Sequence, residues 1–510
     1  MAKRNGGIIG PDNVPAGPLG AAGGVWRLED AFNYQKAGLW PTVLGYQVPN
    51  SLRFNSGSSD RLNRTSSSQT AQKFTFSCWF KLSSNFTGRR NLFATDYSTN
   101  ASTSGQSGMS INVWQDSTIL SGGYGGSVQI VSTALFRDPG AWYHLVWAVD
   151  TTQATASNRL RIYINGSEIT SFSQNAYPPQ NQNIEYKNHS IGSYSDQATY
   201  GSSPNYTYFF DGYQSECYLI DGQQLTPSSF GETDTNTGVW IPKAYTGTYG
   251  TNGFYLKFAN SSSLGTDSSG NGNTFTVNNL TSIDQTTDTP TNNFATLNPL
   301  VSNVTNAGTA SEGNLQYLTT NAGYFGTVST MGVSQGKWYC EIKMTAKNTV
   351  QVYMVGIDGD PNNSAYNNLF AGGISASYGY YGNDGNKWNN NSGSAYGSAY
   401  DVNDIISIAM DLDNNKLYFA KNGTWQNSGV PTSGATGTGA ISISSSPTSG
   451  FYFFAVGDAG STHNVTMQCN FGNPPYTANG YTDGAGYGNF SYSVPSGYYA
   501  LCSKNLANYG

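Results

Sequence analysis

Two stretches of this chain alternate apolar and polar residues too regularly for anything but extended strands. In Phe74-Thr75-Phe76-Ser77-Cys78-Trp79-Phe80-Lys81-Leu82, the residues Phe74, Phe76, Cys78, Phe80 and Leu82 fall on one face. In Lys337-Trp338-Tyr339-Cys340-Glu341-Ile342-Lys343-Met344, Trp338, Cys340, Ile342 and Met344 do the same. A period of two places alternate side chains on opposite faces of a sheet. Each stretch is followed by the same sequence of signals. Trp142–Asp150 and then Leu160–Gly166 parallel Ile405–Asp411 and then Leu417–Gly423, an apolar strand before a short basic-aromatic strand ending in Asn-Gly, the preferred two-residue hairpin turn. The echo predicts two sandwiches of one general architecture.

Composition agrees with an all-β chain. Charged residues are 11% of the 510, against roughly 25% in an average soluble domain. With 37% hydrophobic residues the core is expected to be thin and repeated, built of half-buried strands whose alternate residues face water. Aromatic residues at 14% argue against simple disorder. The pattern divides the chain into an arm at 1–49, a first sandwich at 50–258, a polar connector at 259–335 with one strand near Thr274–Val277, a second sandwich at 336–475, and a Gly/Tyr-rich tail at 476–510. The arm carries a short predicted helix from about Arg27 to Ala37. Its apolar residues Trp26, Leu28, Phe32 and Trp40 are too few for a core of their own, so it is expected to anchor on something else.

Several function classes are disfavoured. The net charge is −6 and no basic run occurs, so nucleic acid is not expected as a partner. No stretch of about 18 apolar residues is present, so membrane insertion is not expected. The start, Met1 to Gly7, lacks the apolar region of a signal peptide; of the widely spaced cysteines Cys78, Cys217, Cys340, Cys469 and Cys502, Cys78, Cys340 and Cys469 fall on the apolar faces of predicted strands and read as buried small hydrophobes, which suits synthesis in a reducing cytoplasm.

At specific residues the chain resembles known families. Ser51-Leu52-Arg53-Phe54, Phe76–Leu82, Trp142–Val146, Tyr163–Gly166 and Phe210-Asp211-Gly212 through Pro227 look like a laminin-G-like, concanavalin-type jelly roll. Gly336–Glu341, Val355-Gly356-Ile357, Met410–Asp413, Leu417-Tyr418-Phe419 and Asn422–Trp425 resemble a SPRY domain, a sandwich of the same type. The connecting pieces, Gly24-Val25-Trp26 with Gly38–Pro41, Thr289–Leu300 and Pro495–Leu501, resemble structural proteins of marine tailed bacteriophages. The resemblance implies two concanavalin-like jelly-roll β-sandwiches in tandem behind an extended N-terminal arm. It also implies a place on the virion surface, as tail fibre or head decoration, after synthesis in the host cytoplasm. The implied partners are other virion proteins through the arm, a host surface polysaccharide, and further copies of the chain. A purely structural decoration or fibre component is the alternative role.

The residues themselves offer little catalysis. A glycosidase needs two carboxylates flanking the scissile bond, and no Glu-x-Asp-x-x-Glu strand is present. Glu216 and Asp221, five apart, point to opposite faces of a regular strand, and Glu168, Glu185 and Glu232 have no acidic partner at alternate positions. A polysaccharide depolymerase is therefore disfavoured, and the chain is expected not to be an enzyme. His144, which shares a strand face with Val146 and Ala148, reads as structural. No cofactor is expected. Calcium is the one candidate, because Asp267, Ser269 and Asn271 place oxygens at alternate positions before Gly272, and Asp358 and Asp360 begin in the same way. The first segment lacks a closing acid, and Asx-type turns are the preferred reading of both. For glycan binding the informative stretch is Ser377–Asn390, where the rings of Tyr378, Tyr380, Tyr381 and Trp388 mix with the polar groups of Asp384 and Asn389. The same mixture also suits a subunit interface. Trp425 reads as a core or rim residue.

Overall fold

A computed structural model describes residues 45–67, 70–83, 88–95, 97–98, 108–123, 128–197, 205–235, 237–301, 308–319, 325–361, 371–460 and 463–510. The chain divides into two units, Met1–Gln47 and Val48–Gly510. In the first, Gln47 donates to the Gly45 carbonyl at 3.0 Å. Trp26, Leu28, Phe32, Trp40 and the expected helix lie outside the described residues.

The second unit is built from two β-sandwiches. In the first, one sheet runs Ser167–Glu168, Leu160–Ile164, Trp142–Asp150, Lys73–Leu82, Gly212–Asp221, Ser51–Phe54, Gln285–Thr286. The facing sheet runs Phe172–Ala176, Val128–Leu135, Thr118–Gly123, Met109–Val113, Arg90–Thr95, Asn188–Ile191, Arg61–Thr65, Thr276–Asn278. In the second sandwich, the strands Lys416–Lys421, Ile405–Asp411, Lys337–Lys347 and Val465–Asn470 lie side by side. That order matches Leu160–Ile164, Trp142–Asp150, Lys73–Leu82 and Gly212–Asp221 in the first, so the sequence echo is an echo of topology. Both hairpins turn as expected: Asn165 and Gly166 have φ of 48° and 81°, and Asn422 and Gly423 have 48° and 79°, the two positive values such a turn requires.

The alternating faces form the cores. Phe74, Phe76, Cys78, Phe80 and Leu82 pack with Leu145, Trp147 and Val149 inside the first sandwich. Trp338, Cys340, Ile342 and Met344 pack with Ile406, Ile408 and Met410 inside the second. The opposite faces differ from expectation, because Thr75, Ser77, Trp79 and Lys81 in the first sandwich and Tyr339 and Glu341 in the second are buried. Lys73–Leu82 is buried from Phe74 to its end. Over the first sandwich, Phe230 packs on Val146, Ala148, Tyr163, Tyr218 and Ile220 of the sheet's outer face, with Leu225, Tyr245, Tyr249 and Tyr255 against this cluster. Over the second, Phe490, Tyr498, Ala500 and Cys502 pack on Tyr339, Ala409 and Tyr418. Loop and tail segments thus supply a third layer. It was not readable from strand period, because the covering residues come from irregular chain.

Segment 259–335 belongs to both sandwiches. Among its described residues it forms five short strands rather than one: Thr276–Asn278 and Gln285–Thr286 extend the first sandwich, and Thr309–Ser311, Gln316–Leu318 and Phe325–Val328 extend the second. Between them the turn Asp288–Phe294 closes over Lys81, which is 0% exposed. The Lys81 ammonium donates to Asp288 Oδ2 at 2.9 Å, Asn293 Oδ1 at 2.8 Å and the Phe294 carbonyl at 2.9 Å, so all three of its protons are used. Asp288 Oδ1 accepts from Trp142 Nε1 and the Phe294 amide. The turn also binds the tail: Asn293 donates its amide to Ser503 Oγ, and Asn292 Oδ1 accepts from the Lys504 amide.

A second polar cluster lies along the same seam. Arg53, 1% exposed, donates to the carbonyls of Ile283 and Pro474 and pairs with Asp284 at 3.4 Å and Glu312 at 3.8 Å. Close by, Asp60 accepts from the Asn55 amide at 2.8 Å and Ser58 Oγ at 2.7 Å. Burial, with the charges of Asp284 and Glu312, pushes its carboxyl up to about 6, and the hydrogen bonds offset only part of that.

Two outcomes are expected. Lys81→Met leaves the Asp288 carboxylate buried without its cation and costs about 3–5 kcal/mol in urea denaturation followed by tryptophan fluorescence. For Asp60, the folded state holds its proton more tightly than the unfolded chain. Its contribution to stability is therefore full below about pH 4 and is lost as pH rises to about 6, by up to about 3 kcal/mol. The Asp60→Asn variant flattens that part of the stability–pH curve.

Candidate functional site

The six residues of the Ser377–Asn390 stretch are not all on one surface. Antiparallel pairing with Tyr353–Asp358 turns Tyr378 and Tyr380 inward, and both belong to the core of the second sandwich. Tyr380 is 0% exposed, lies on Phe419 with centroids 5.3 Å apart, and donates to the Ser398 carbonyl. The Tyr378 hydroxyl accepts from the Ser444 amide at 3.0 Å. Asn389 Nδ2 ties the loop by donating to the carbonyls of Ser375 and Ser377. Asp384 holds an Asx-type turn by accepting from the amide and the side chain of Asn386. Tyr381 and Trp388 meet edge to face at 6.0 Å and keep part of their surface exposed.

The calcium candidates are likewise built into turns. Asp267 accepts from the amides of Tyr255, Ser269 and Asn273 and from Ser269 Oγ, while Asn271 Nδ2 donates to the carbonyls of Gly250 and Gly253. The Asp267 carboxylate is thereby used by the protein itself. Asp358 is 3% exposed and accepts from the Asp360 amide at 2.7 Å. Among the described residues no group of three or more His, Cys, Asp or Glu side chains is placed to hold a metal ion.

His144, Glu216 and Asp221 are likewise hydrogen-bonded within the sandwich. Trp240 Nε1 donates to His144 Nδ1 at 2.9 Å, which makes Nδ1 the acceptor and leaves Nε2 to donate to Ser77 Oγ at 2.9 Å. Burial drives the ring's pKa down to about 3, so it stays neutral. Glu216 sits in a bulge with φ of 51° and accepts from the hydroxyls of Tyr218 and Tyr255, while Asp221 binds the Asn252 amide and side chain.

An open cleft is formed elsewhere. A cleft of about 570 Å³ opens on the outer face of the second sandwich, within the size range of small-molecule sites. Its floor is Tyr339, Ser407 and Ala420; its walls are the loop from Trp425 to Thr432 and the tail from Tyr492 to Ser496. The cleft exists because Glu341, 0% exposed, pins the tail over the sheet. Its Oε1 accepts from the Tyr492 amide at 2.8 Å and from the Tyr339 hydroxyl at 3.0 Å; its Oε2 accepts from the Ser491 amide at 2.8 Å and from Asn470 Nδ2 at 3.2 Å. Burial still holds the Glu341 carboxyl above its ordinary range. The rings of Trp425 and Tyr492 stay half-exposed at the walls, between Pro431, Val494 and Pro495. No carboxylate is among the lining residues, and Glu341 beneath them has all four of these bonds in use. The site can offer flat rings, backbone groups and hydroxyls, but no acid–base pair. Sequence reading missed it because its floor and its two walls come from segments far apart in the chain, and the Asn-Gly hairpin before Trp425 hinted only that this ring sits at a sheet edge.

Comparison with known proteins agrees with the two-sandwich architecture. Residues 56–227 match the concanavalin A-like lectin/glucanases superfamily, and residues 337–453 match the SPRY domain. The chain thus carries a concanavalin-like domain and a SPRY domain in tandem. Among solved structures, the SPRY domain of human HERC1 is similar at 14% identity and a TM-score of 0.27, covering 34% of this chain and 96% of that one.

Replacing Glu341 with Ala is expected to release the tail. The amides of Ser491 and Tyr492 would then exchange with deuterium at least about tenfold faster, while the inner strands keep their protection.

Proposed function

We propose that the protein is a non-catalytic glycan-recognition component of a bacteriophage exterior, and that the cleft at Trp425 and Tyr492 holds a saccharide of the host surface. The observation that carries the binding reading is the pair of half-exposed rings facing a cleft free of lining carboxylates. Sugar rings stack their apolar C–H faces on such aromatics, and neighbouring hydroxyls and backbone groups take their polar edges. The concanavalin-like match to a superfamily of lectins and glucanases, which covers residues 56–227 of the first sandwich, supports carbohydrate recognition by the chain, while the cleft itself lies on the second sandwich. The virion setting rests on the resemblance of the connecting segments to phage structural proteins, and it assigns the arm at 1–49 to attachment on other virion proteins.

A purely structural role in the same particle is the second reading. The strand Ser392–Ala395, exposed along its length at the edge of its sheet and made of small residues, favours it because such an edge can pair with another copy.

Binding to an array of bacterial capsular and O-antigen polysaccharides tests the first reading. Saturable binding that falls at least about tenfold in both Trp425→Ala and Tyr492→Ala is expected. Binding unchanged in both variants removes the cleft from consideration. A cryo-EM reconstruction of the assembled particle checks the setting. Sandwiches projecting outward are expected, and Ser392–Ala395 paired with a neighbouring copy would favour the structural role.

A further inference from the structure

Two neighbouring arginines of the first sandwich are used differently. Arg90 pairs with Asp211 at 3.2 Å and donates to the Arg89 carbonyl at 3.2 Å. The Arg89 guanidinium has, among the described residues, neither an ion pair nor a hydrogen-bond partner. Arg89 is half-exposed, and none of its side-chain nitrogens is sealed from solvent. Its planar fork of N–H donors is therefore open to a ligand.

Two rings flank this cation. Its guanidinium carbon lies 5.8 Å from the centre of the Trp114 ring and 5.6 Å from that of Tyr208, both within cation–π reach. Trp114 is half-exposed and Tyr208 is 45% exposed, so both can be reached from outside. Tyr208 has a φ of 52°, which a bulky residue rarely adopts. The Asn91 amide, donating to its carbonyl at 2.9 Å, and the ring of Tyr194, edge to face at 5.6 Å, hold it there. Arg89 also lines a recess of about 60 Å³, with Ser110, Leu120, Gly122, Gln129 and Tyr194. That is roughly the room of two water molecules, enough for a carboxylate and too little for a sugar ring.

These features select the ligand. A guanidinium fork matches a carboxylate, which it binds through two parallel hydrogen bonds. One unpaired cation balances a monoanion, whereas a phosphate dianion would keep an uncompensated charge. The exposed rings add flat apolar surface, which suits the C–H face of a pyranose. The side chain of an acidic peptide would use the fork and leave the rings idle.

We infer that Arg89, flanked by Trp114 and Tyr208, is a binding site for an acidic sugar residue, a uronic or a sialic acid. Its carboxylate takes the guanidinium and its ring lies along the aromatics. The site belongs to the first sandwich and does not depend on the cleft at Trp425 and Tyr492; it shares with that cleft only the reading of the chain as a glycan binder.

Saturation-transfer NMR titrations of the full chain carrying Trp425→Ala, which disables the aromatic cleft, test this. The probes are methyl β-glucuronide, methyl α-N-acetylneuraminide, and methyl β-glucoside, in which a hydroxymethyl group replaces the glucuronide's carboxylate. At least one acid is expected to bind with millimolar affinity, at least about tenfold more tightly than the glucoside. Arg89→Met keeps the apolar stem and removes the fork, and it is expected to weaken that binding at least about tenfold. Tyr208→Gly suits the left-handed backbone there and removes one ring, and it is expected to weaken it at least about threefold. Failure of both acids to bind overturns the site, and so does binding unchanged in both variants. N-acetylglutamate amide bound as tightly as the sugar acids overturns the saccharide assignment in favour of an acidic peptide. None of these outcomes touches the aromatic cleft, whose own test keeps Trp425 and Tyr492 in place.

Discussion

The buried ion pair between Lys81 and Asp288 governs how the two sandwiches are joined. Two charges taken out of water are tolerated only when their hydrogen-bonding capacity is filled. Here the central strand of the first sandwich supplies the ammonium, and the turn Asp288–Phe294 supplies a carboxylate, an amide oxygen and a carbonyl. Trp142 and the Phe294 amide complete the carboxylate. Once the turn is held in this way, Phe294 is delivered to the outer layer of the second sandwich, and Asn292 and Asn293 capture the start of the C-terminal helix Ser503–Tyr509. The join is specified by polar geometry, which has one solution, rather than by apolar area, which has many.

The same device recurs at Glu341. A carboxylate on the outer face of a central strand is buried under a segment that has no regular structure, and its four hydrogen bonds fix where that segment runs. In both places the charged residue is what the alternating pattern assigns to water. The chain has few charges, and several of them are spent inside.

That explains which parts of the architecture could be read from the residues. Phe74 to Leu82 and Trp338 to Met344 declare their inner faces by period alone, and the Asn-Gly pairs declare the hairpins. The outer faces were misread, because Lys81 and Glu341 look like solvent-facing positions and only three-dimensional closure shows what covers them. The aromatic stretch from Tyr378 to Trp388 looked like a platform, but strand parity sends Tyr378 and Tyr380 into the core. Conversely, the cleft around Trp425 needs Tyr339, Pro431 and Tyr492 together, and no local pattern links them.

The 207-residue separation between Lys81 and Asp288 also bears on synthesis. At ribosomal rates of about 5–20 residues per second, the counter-ion arrives roughly 10–40 s after the cation. Until then Lys81 must stay hydrated, so the sheet that carries it cannot close its outer face. The nascent first sandwich therefore waits half-covered, with its inner core formed and its seam open, and the order of translation becomes the order of assembly.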